Sequence, residues 1–246
     1  MSYDFAKAAD EFLEVTDKAY DECSEGISEL DKIIVASPSA LVGKTRGYLK
    51  VCLYAYWERF FRIAFGEYLR CLTLVQLDFA DVNDKLGQWL VRRELVRFSE
   101  RHKVGKLHEM SDRFPPIVLK RVLRSLVKLL ESPMSFRFPD EWIETESNVR
   151  FRVLERHCDR FGVDLEAIKA AFDGTSSLFQ LLENFVDERN DLAHGASFRE
   201  TPQWDWEQDR SFVLKLIQTL QFELFETLAD GHLLLRGITV DTEFQI

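Results

Sequence analysis

Three side chains of different chemistry stand within one six-residue stretch of this sequence: Arg189, Asn190 and His194. An arginine is permanently charged and can donate two parallel hydrogen bonds to phosphate oxygens. A histidine titrates near neutral pH and can act as a general base or acid. An asparagine amide can hold a hydroxyl group or fix a neighbouring side chain. Together, these groups suit chemistry on a phosphodiester.

The stretch ends a segment, 176–194, whose apolar residues have helical spacing. Its apolar stripe consists of Leu178, Leu182, Phe185 and Leu192. Arg189 occupies a position that belongs to this stripe, so it must be paired, extend to solvent or face an interface. Ser176 or Ser177 is predicted to cap the start of the helix, and Gly195 is predicted to end it.

Ordinary structural roles also account for these residues. An arginine at the edge of an apolar stripe often forms a structural salt bridge, and a histidine before a capping glycine is commonly a helix-end residue. Positions 189 and 194 are about 140° apart on an ideal helix, so one copy does not present both on one face. Two copies that meet across a twofold axis would bring both groups to a shared cleft more easily.

The composition is that of a folded globular protein. Of the 246 residues, 46% are hydrophobic and 30% are charged, which excludes disordered, collagen-like and low-complexity proteins. Four cysteines without a CxxC pair exclude a disulfide scaffold and most zinc modules, and neither a metal nor a cofactor is expected. No signal peptide, transmembrane segment or glycine-rich phosphate loop is visible. We expect a soluble cytoplasmic protein that does not contact a membrane.

The rest of the chain predicts an all-α fold, because apolar residues recur at steps of three or four between Pro or Gly breaks. The predicted helices cover about 3–35, 40–72, 83–113, 116–131, 148–161, Asp164 to Gly174, 176–194 and 204–230. Gly26 weakens the first helix modestly. The centre of the second, 51–57, is apolar on every face, which predicts a buried central helix with Cys52 in the core. We predict one domain over 1–246: a helical bundle with its core at about 40–72 and 148–230, a basic helical insert over about 80–145, and a short extended C-terminal tail.

Charge is unevenly distributed along the chain, whose formal net charge is −10. Residues 1–31 and 164–230 carry net charges of −8 and −9, whereas residues 92–128 carry +7. The overall acidity argues against nonspecific nucleic-acid binding across the whole surface. The basic middle could hold a phosphate backbone locally, or equally the acidic segments of its own fold or of a second copy.

The stretch Arg189–His194 resembles the Arg-(polar)-x3-His signature of HEPN domains (higher eukaryotes and prokaryotes nucleotide-binding), and the following Gly195 is common in that family. Two further stretches are similar to a bacterial HEPN subgroup found among toxin-like and defence-associated proteins. One is 54–58 (YAYWE), followed by an aromatic and basic helix, and the other is 148–164. All three stretches occur in this order on predicted helices.

The resemblance implies an HEPN-like helical bundle and a specific chemistry. Catalytic HEPN proteins are metal-independent RNases that typically dimerise, so that two copies of the motif line one cleft. The 2′-hydroxyl of RNA attacks the adjacent phosphate and leaves a 2′,3′-cyclic phosphate. Carried onto this chain, His194 is the acid or base, Arg189 stabilises the charge of the phosphorane, and Asn190 orients the site.

Glu58 is a further catalytic candidate, because a carboxylate in so apolar a helix needs a partner. The ordinary partner would be Arg62 at i+4, and the functional partner, which the resemblance favours, would be Arg189 or His194. The candidate RNA-binding residues, which ordinary surface charge also explains, are Arg62, Arg92, Arg93, Arg97, Arg101, Lys120, Arg121 and Arg124.

The resemblance therefore implies a metal-independent endoribonuclease that acts on RNA as a homodimer. It would be a toxin or antiphage effector, restrained by a neutralising antitoxin or a regulatory protein. The alternative is a non-catalytic HEPN adaptor that binds a nucleotide or RNA, or an antitoxin-like partner. A third interpretation is a structural bundle whose motif match is accidental, which predicts Arg189 in a buried ion pair far from any cleft.

Overall fold

The computed structural model describes residues 4–38, 41–75, 82, 84–101, 143, 145, 148–172, 177–194 and 206–231. The elements in these ranges are α-helices, which confirms the all-α prediction: α1 (Phe5–Ala36), α2 (Val42–Val75), α3 (Asp84–Arg101), α4 (Phe151–Phe161), α5 (Leu165–Ala170), α6 (Leu178–Ala193) and α7 (Trp206–Asp230). The predicted helix over 116–131 and the predicted extended tail lie outside the described residues. Within the described ranges, no helix combines the length and apolar character that crossing a bilayer requires.

Helix α2 lies at the centre of the described bundle and packs against α1, α6 and α7. Large side chains of α2 are fully buried, and they form one cluster with apolar side chains of the other helices: Leu53, Tyr54, Trp57, Phe60, Phe61, Phe65 and Tyr68. The ring of Phe61 lies 5.1 Å from the ring of His157 on α4, and Trp89 on α3 meets Phe161 edge-on at 5.1 Å. The aromatic residues of α2 thus connect the long helices to α4, and α4 connects them to α3.

Three of the helix boundaries follow from caps that the sequence predicts. Gly162 ends α4 with a φ of 73°, a left-handed conformation that glycine adopts without strain. The side chain of Asp164 accepts hydrogen bonds from two N–H groups at the start of α5. The hydroxyl of Ser177 accepts the N–H of Gln180 and begins α6. The predicted stops at Gly174 and Gly195 lie outside the described residues.

Two local predictions are wrong. Helix α4 begins at Phe151 and not at 148: Arg150 has an extended backbone (φ −82°, ψ 170°), and residues 149 and 150 contact α2 and α6. Helix α2 is not buried on every face: Cys52 and Ala55 are exposed, so Cys52 does not belong to the core. The apolar run predicts correctly that several faces of α2 pack against other helices, but it does not predict which face is exposed to solvent.

Helices α1 and α2 approach closely at Gly26. A Cβ atom built on Gly26 would overlap the phenol ring of Tyr56, so this glycine makes room for an aromatic side chain of the neighbouring helix. At Gly66 in α2, in contrast, an added Cβ would meet no atom within 4 Å. The two helical glycines therefore provide a matched pair, one at a close contact and one in open space.

We expect Gly26→Ala to destabilise the protein. The overlap with Tyr56 costs about 1–3 kcal/mol, whereas alanine gains only about 1 kcal/mol in helix propensity. Gly66→Ala gains the propensity without the overlap and should be stabilising. Urea denaturation of both variants measures the difference. In a Tyr56→Ala background the sign for Gly26→Ala should reverse, and a destabilisation that persists there would contradict the role given to the tyrosine.

We also expect one fast-reacting thiol in the native protein. Burial raises the pKa of Cys23 to about 11 and that of Cys71 to about 12, and it raises the pKa of Cys158 further. Because of these raised pKa values, the three buried cysteines carry little thiolate at pH 8. Cys52, in contrast, is exposed to the reagent. A thiol-reactive chromogenic disulfide should therefore label one site quickly, and Cys52→Ser should remove that phase. Either no fast thiol or a second one would contradict this arrangement.

Candidate active site

The segment 148–150, here called the strap, crosses from α2 to α6, and its middle residue is bound to α2. The N–H of Val149 donates to the hydroxyl of Tyr54 at 2.6 Å, and the carbonyl of Val149 accepts the indole N–H of Trp57 at 3.3 Å. Val149 is fully buried, so both of its polar backbone groups need such partners. The two aromatic side chains of α2 therefore fix the position of the strap.

The other end of the strap is bound to α6. The guanidinium of Arg150 forms ion pairs with Glu183 at 2.6 Å and Asp187 at 2.5 Å, two carboxylates one turn apart. Glu183 also accepts the N–H of Phe151 at 3.0 Å, which satisfies a free donor at the start of α4. The strap thus joins α2, α4 and α6 at one place.

Arg189 of α6 lies against the strap and above Tyr54. Its Nη1 donates to Oδ1 of Asn148 at 2.9 Å and to Oδ1 of the neighbouring Asn190 at 2.8 Å. Its Cζ lies 4.3 Å from the centroid of the Tyr54 ring, a distance suited to a cation–π contact. The side chain is half-buried. All the partners that hold this guanidinium in the described part of the chain are uncharged.

Of the four carboxylates on α6, three are bound to other cations, and the fourth, Asp191, is exposed. Glu183 and Asp187 pair with Arg150, and Glu188 pairs with Lys50 of α2. Among the described residues Arg189 forms no ion pair, in contrast to what an accidental motif match predicts. Its positive charge is therefore not neutralised by the acidic helix that carries it.

Tyr54 presents an uncharged ring to Arg189. Burial is the main cause that raises the pKa of Tyr54 to about 12, and the nearby Glu58 carboxylate acts in the same direction. The hydrogen bond from Val149 and the charge of Arg189 act against this shift. Since the pKa remains far above neutral, the phenol keeps its proton and can accept the Val149 N–H while Arg189 lies over its face.

His194 follows the last residue of α6 and is exposed. Its backbone N–H donates to the carbonyl of Asn190 at 3.0 Å, which fixes the main chain of the last turn. Arg189 and Asn190 are half-buried one turn earlier. The structure thus brings Arg189 and Asn190 into contact, and it leaves the imidazole of His194 open to solvent at the same end of the helix.

Glu58 has the ordinary partner and not the functional one. Its carboxylate pairs with Arg62 at 2.8 Å, one turn along α2, and Arg62 also donates to the hydroxyl of Thr145 at 2.7 Å. No described ion pair joins Glu58 to Arg189 or His194, although Glu58 lies close enough to Tyr54 to affect its pKa.

The candidate RNA-binding residues of the insert are mostly outside the described part of the chain. Arg92 on α3 is exposed. The side chains of Arg93, Arg97 and Arg101, and the whole of Lys120, Arg121 and Arg124, lie outside the described residues. In the described ranges, no group of three or more His, Cys, Asp or Glu side chains is placed to hold a metal ion.

Sequence reasoning missed three residues of this site: Tyr54, Asn148 and Arg150. Tyr54 and Asn148 stand inside the two stretches that carry the HEPN resemblance, and this was the available signal. Periodicity could not connect them to Arg189, because Asn148 is 41 residues away along the chain. Arg150 stands in the second of these stretches, and the two carboxylates at i, i+4 on α6 form a pair to which a cation can bind.

A family model described as RiboL-PSP-HEPN matches residues 18–223. Neither a curated protein nor a solved structure matches the chain. The matched range includes 54–58, 148–164 and 189–194, the three stretches that meet at the strap. It extends over most of the 246 residues. The chain therefore belongs to the RiboL-PSP-HEPN family, and the HEPN resemblance is confirmed.

Proposed function

We propose that this protein is a metal-independent endoribonuclease that cleaves RNA as a homodimer. The observation that carries the proposal is the state of Arg189. In a chain with an excess of acids, its guanidinium is held by Asn148, Asn190 and the face of Tyr54, and it forms no ion pair among the described residues. A cation fixed in this way is suited to an anionic substrate.

The proposed reaction is an internal transfer at one phosphate of the RNA. His194 accepts the proton of the 2′-hydroxyl, whose oxygen attacks the adjacent phosphorus. Arg189 stabilises the negative charge that develops on the phosphorane oxygens. The bond to the 5′-oxygen then breaks and that oxygen is protonated. The products are a 2′,3′-cyclic phosphate and a 5′-hydroxyl, and no metal ion takes part.

A second copy supplies what one α6 helix does not present on a single face. Arg189 and His194 are five positions apart, which corresponds to about 140° on an ideal helix. When two α6 ends meet across a twofold axis, one His194 can serve as the base and the other as the acid. The shared cleft would then contain two arginines and two histidines.

The basic segment 92–128 is the proposed path for the rest of the RNA, because its net charge of +7 opposes the acidity of the flanking segments. Such an enzyme would damage the RNA of its own cell. We therefore propose a toxin or antiphage effector that a neutralising antitoxin or another regulatory protein restrains.

We expect the purified wild-type protein to cleave a mixed RNA pool in the presence of a chelator, with 2′,3′-cyclic phosphate ends. Arg189→Gln should lower the rate by about 10²–10³-fold, since it removes a stabiliser of the transition state. His194→Ala should lower it by about 10²–10⁴-fold, since it removes the acid or base. Gel electrophoresis of end-labelled RNA and enzymatic analysis of the ends measure both effects.

Arg70→Gln is the matched control. Arg70 is an exposed arginine whose partners, Glu11 and Glu67, lie on α1 and α2. This variant should cleave like the wild type, and thermal melting should show that all three variants fold. Equal cleavage by the wild type, Arg189→Gln and His194→Ala would refute the proposal, as would loss of cleavage with chelator. A wild-type protein that binds RNA without cutting it would identify the non-catalytic adaptor instead.

A further inference from the structure

The guanidinium of Arg189 is anchored on one side only. Both N–H groups of Nη1 are engaged, one by Asn148 and one by Asn190. Nε is buried and has no acceptor among the described residues, and Nη2 has none there either. Nε–H and one N–H of Nη2 point in the same direction along one edge of the planar group. Because Nε is buried, a phosphate oxygen that approaches this edge from solvent would meet Nη2.

Asn148 is well placed to impose this orientation because it belongs to the strap. The next residue, Val149, is bound to Tyr54 and Trp57 through its backbone. The residue after that, Arg150, is bound to two carboxylates of α6. The amide oxygen of Asn148 is therefore fixed by the backbone behind it, whereas Asn190 is only the sequence neighbour of Arg189 on the same helix.

The acceptor on the strap is an amide and not a carboxylate. A carboxylate at this place would bind the guanidinium more strongly, because the attraction between two opposite full charges would be added to the hydrogen bond. It would also neutralise the charge and compete with a phosphate for it. An amide oxygen fixes the direction of the guanidinium and leaves its charge available.

We propose that Asn148 is a positioning residue for Arg189: it is an uncharged acceptor on a fixed strap that holds Nη1 and so leaves Nη2 of the guanidinium for the substrate. The ligand of Nη2 is a phosphate group of a single-stranded RNA. This inference rests on the proposed function, in which RNA is the substrate. It adds that Asn148 orients the guanidinium that contacts the phosphate.

The decisive variant is Asn148→Asp, which changes the charge of the acceptor and almost nothing of its shape. The new carboxylate should pair with Arg189, so the melting temperature should be equal to or higher than that of the wild type. The affinity for a fluorescein-labelled 2′-O-methyl RNA oligonucleotide, which cannot undergo 2′-hydroxyl attack, should fall. The slope of log K against log salt should decrease by about 0.7, the loss of one phosphate contact on a single strand. Arg189→Gln should show the same slope.

Two further variants separate position from charge. Asn148→Ala keeps the charge of Arg189 but removes its fixed acceptor, so the cleavage rate constant should fall by about tenfold or more while the salt slope stays nearly that of the wild type. Asn184→Asp is the matched control. Asn184 is exposed on α6, so the change adds the same charge to the helix that carries Arg189, away from the strap. This control should bind and cleave like the wild type.

The outcomes distinguish the two proposals. If Arg189→Gln loses cleavage while Asn148→Asp keeps wild-type cleavage and a wild-type salt slope, the role of Asn148 is refuted and the nuclease stands. If the wild type binds RNA without cutting it, the nuclease is refuted and the salt slopes alone decide the role of Asn148. If Asn148→Asp and Asn184→Asp lower the affinity equally, added negative charge explains the loss and Asn148 has no special role. A wild type that does not bind RNA at all refutes both.

Discussion

The backbone of Val149 is the constraint on which the candidate site depends. It is fully buried, and a buried N–H or carbonyl that lacks a partner costs about 1–3 kcal/mol. Tyr54 and Trp57 satisfy both groups from adjacent turns of α2. Because these two side chains belong to the central helix, the strap has one position relative to the core. The side chains on either side of Val149 then act on α6 from that fixed position.

Electrostatics around α6 are arranged so that one cation stays available in an acidic environment. The chain has 42 acids and 32 lysines and arginines, so a half-buried arginine would ordinarily find a carboxylate. Here three acids of α6, Glu183, Asp187 and Glu188, are bound by Arg150 of the strap and by Lys50 of α2. Lys50 is 1% exposed and also pairs with Asp209 of α7 at 3.0 Å, so the same ion pairs that occupy these acids hold three helices together.

The sequence predicted the features that depend on residues close together along the chain. Helix periodicity and capping residues located the starts of the described helices within about three residues, and Gly162, Asp164 and Ser177 act as predicted. The pairing of Glu58 with Arg62 is also local, at i+4 on one helix. The strap was wrongly predicted as part of a helix. Its structure depends on side chains from helices that are remote in sequence, and local periodicity does not include them. Tyr54 lies in a stretch that carries the HEPN resemblance, but no spacing rule predicts its contact with Arg189, which is remote in sequence.

Each residue of the strap contacts a different part of the protein, and this limits which changes of length and residue type the strap can accept. Asn148 meets Arg189 through its side chain, Val149 meets α2 through its backbone, and Arg150 meets α6 through its side chain. An inserted or deleted residue here would shift the register of the strap by one residue. The side chains that now contact Arg189 and the two carboxylates of α6 would then no longer face these partners. The interval from Asn148 to the first turn of α4 should therefore have a constant length among family members that keep this arrangement. Its amino-acid types should vary only at Val149, where the contacts are made by the backbone and any side chain that fits the buried space and leaves the N–H free would suffice.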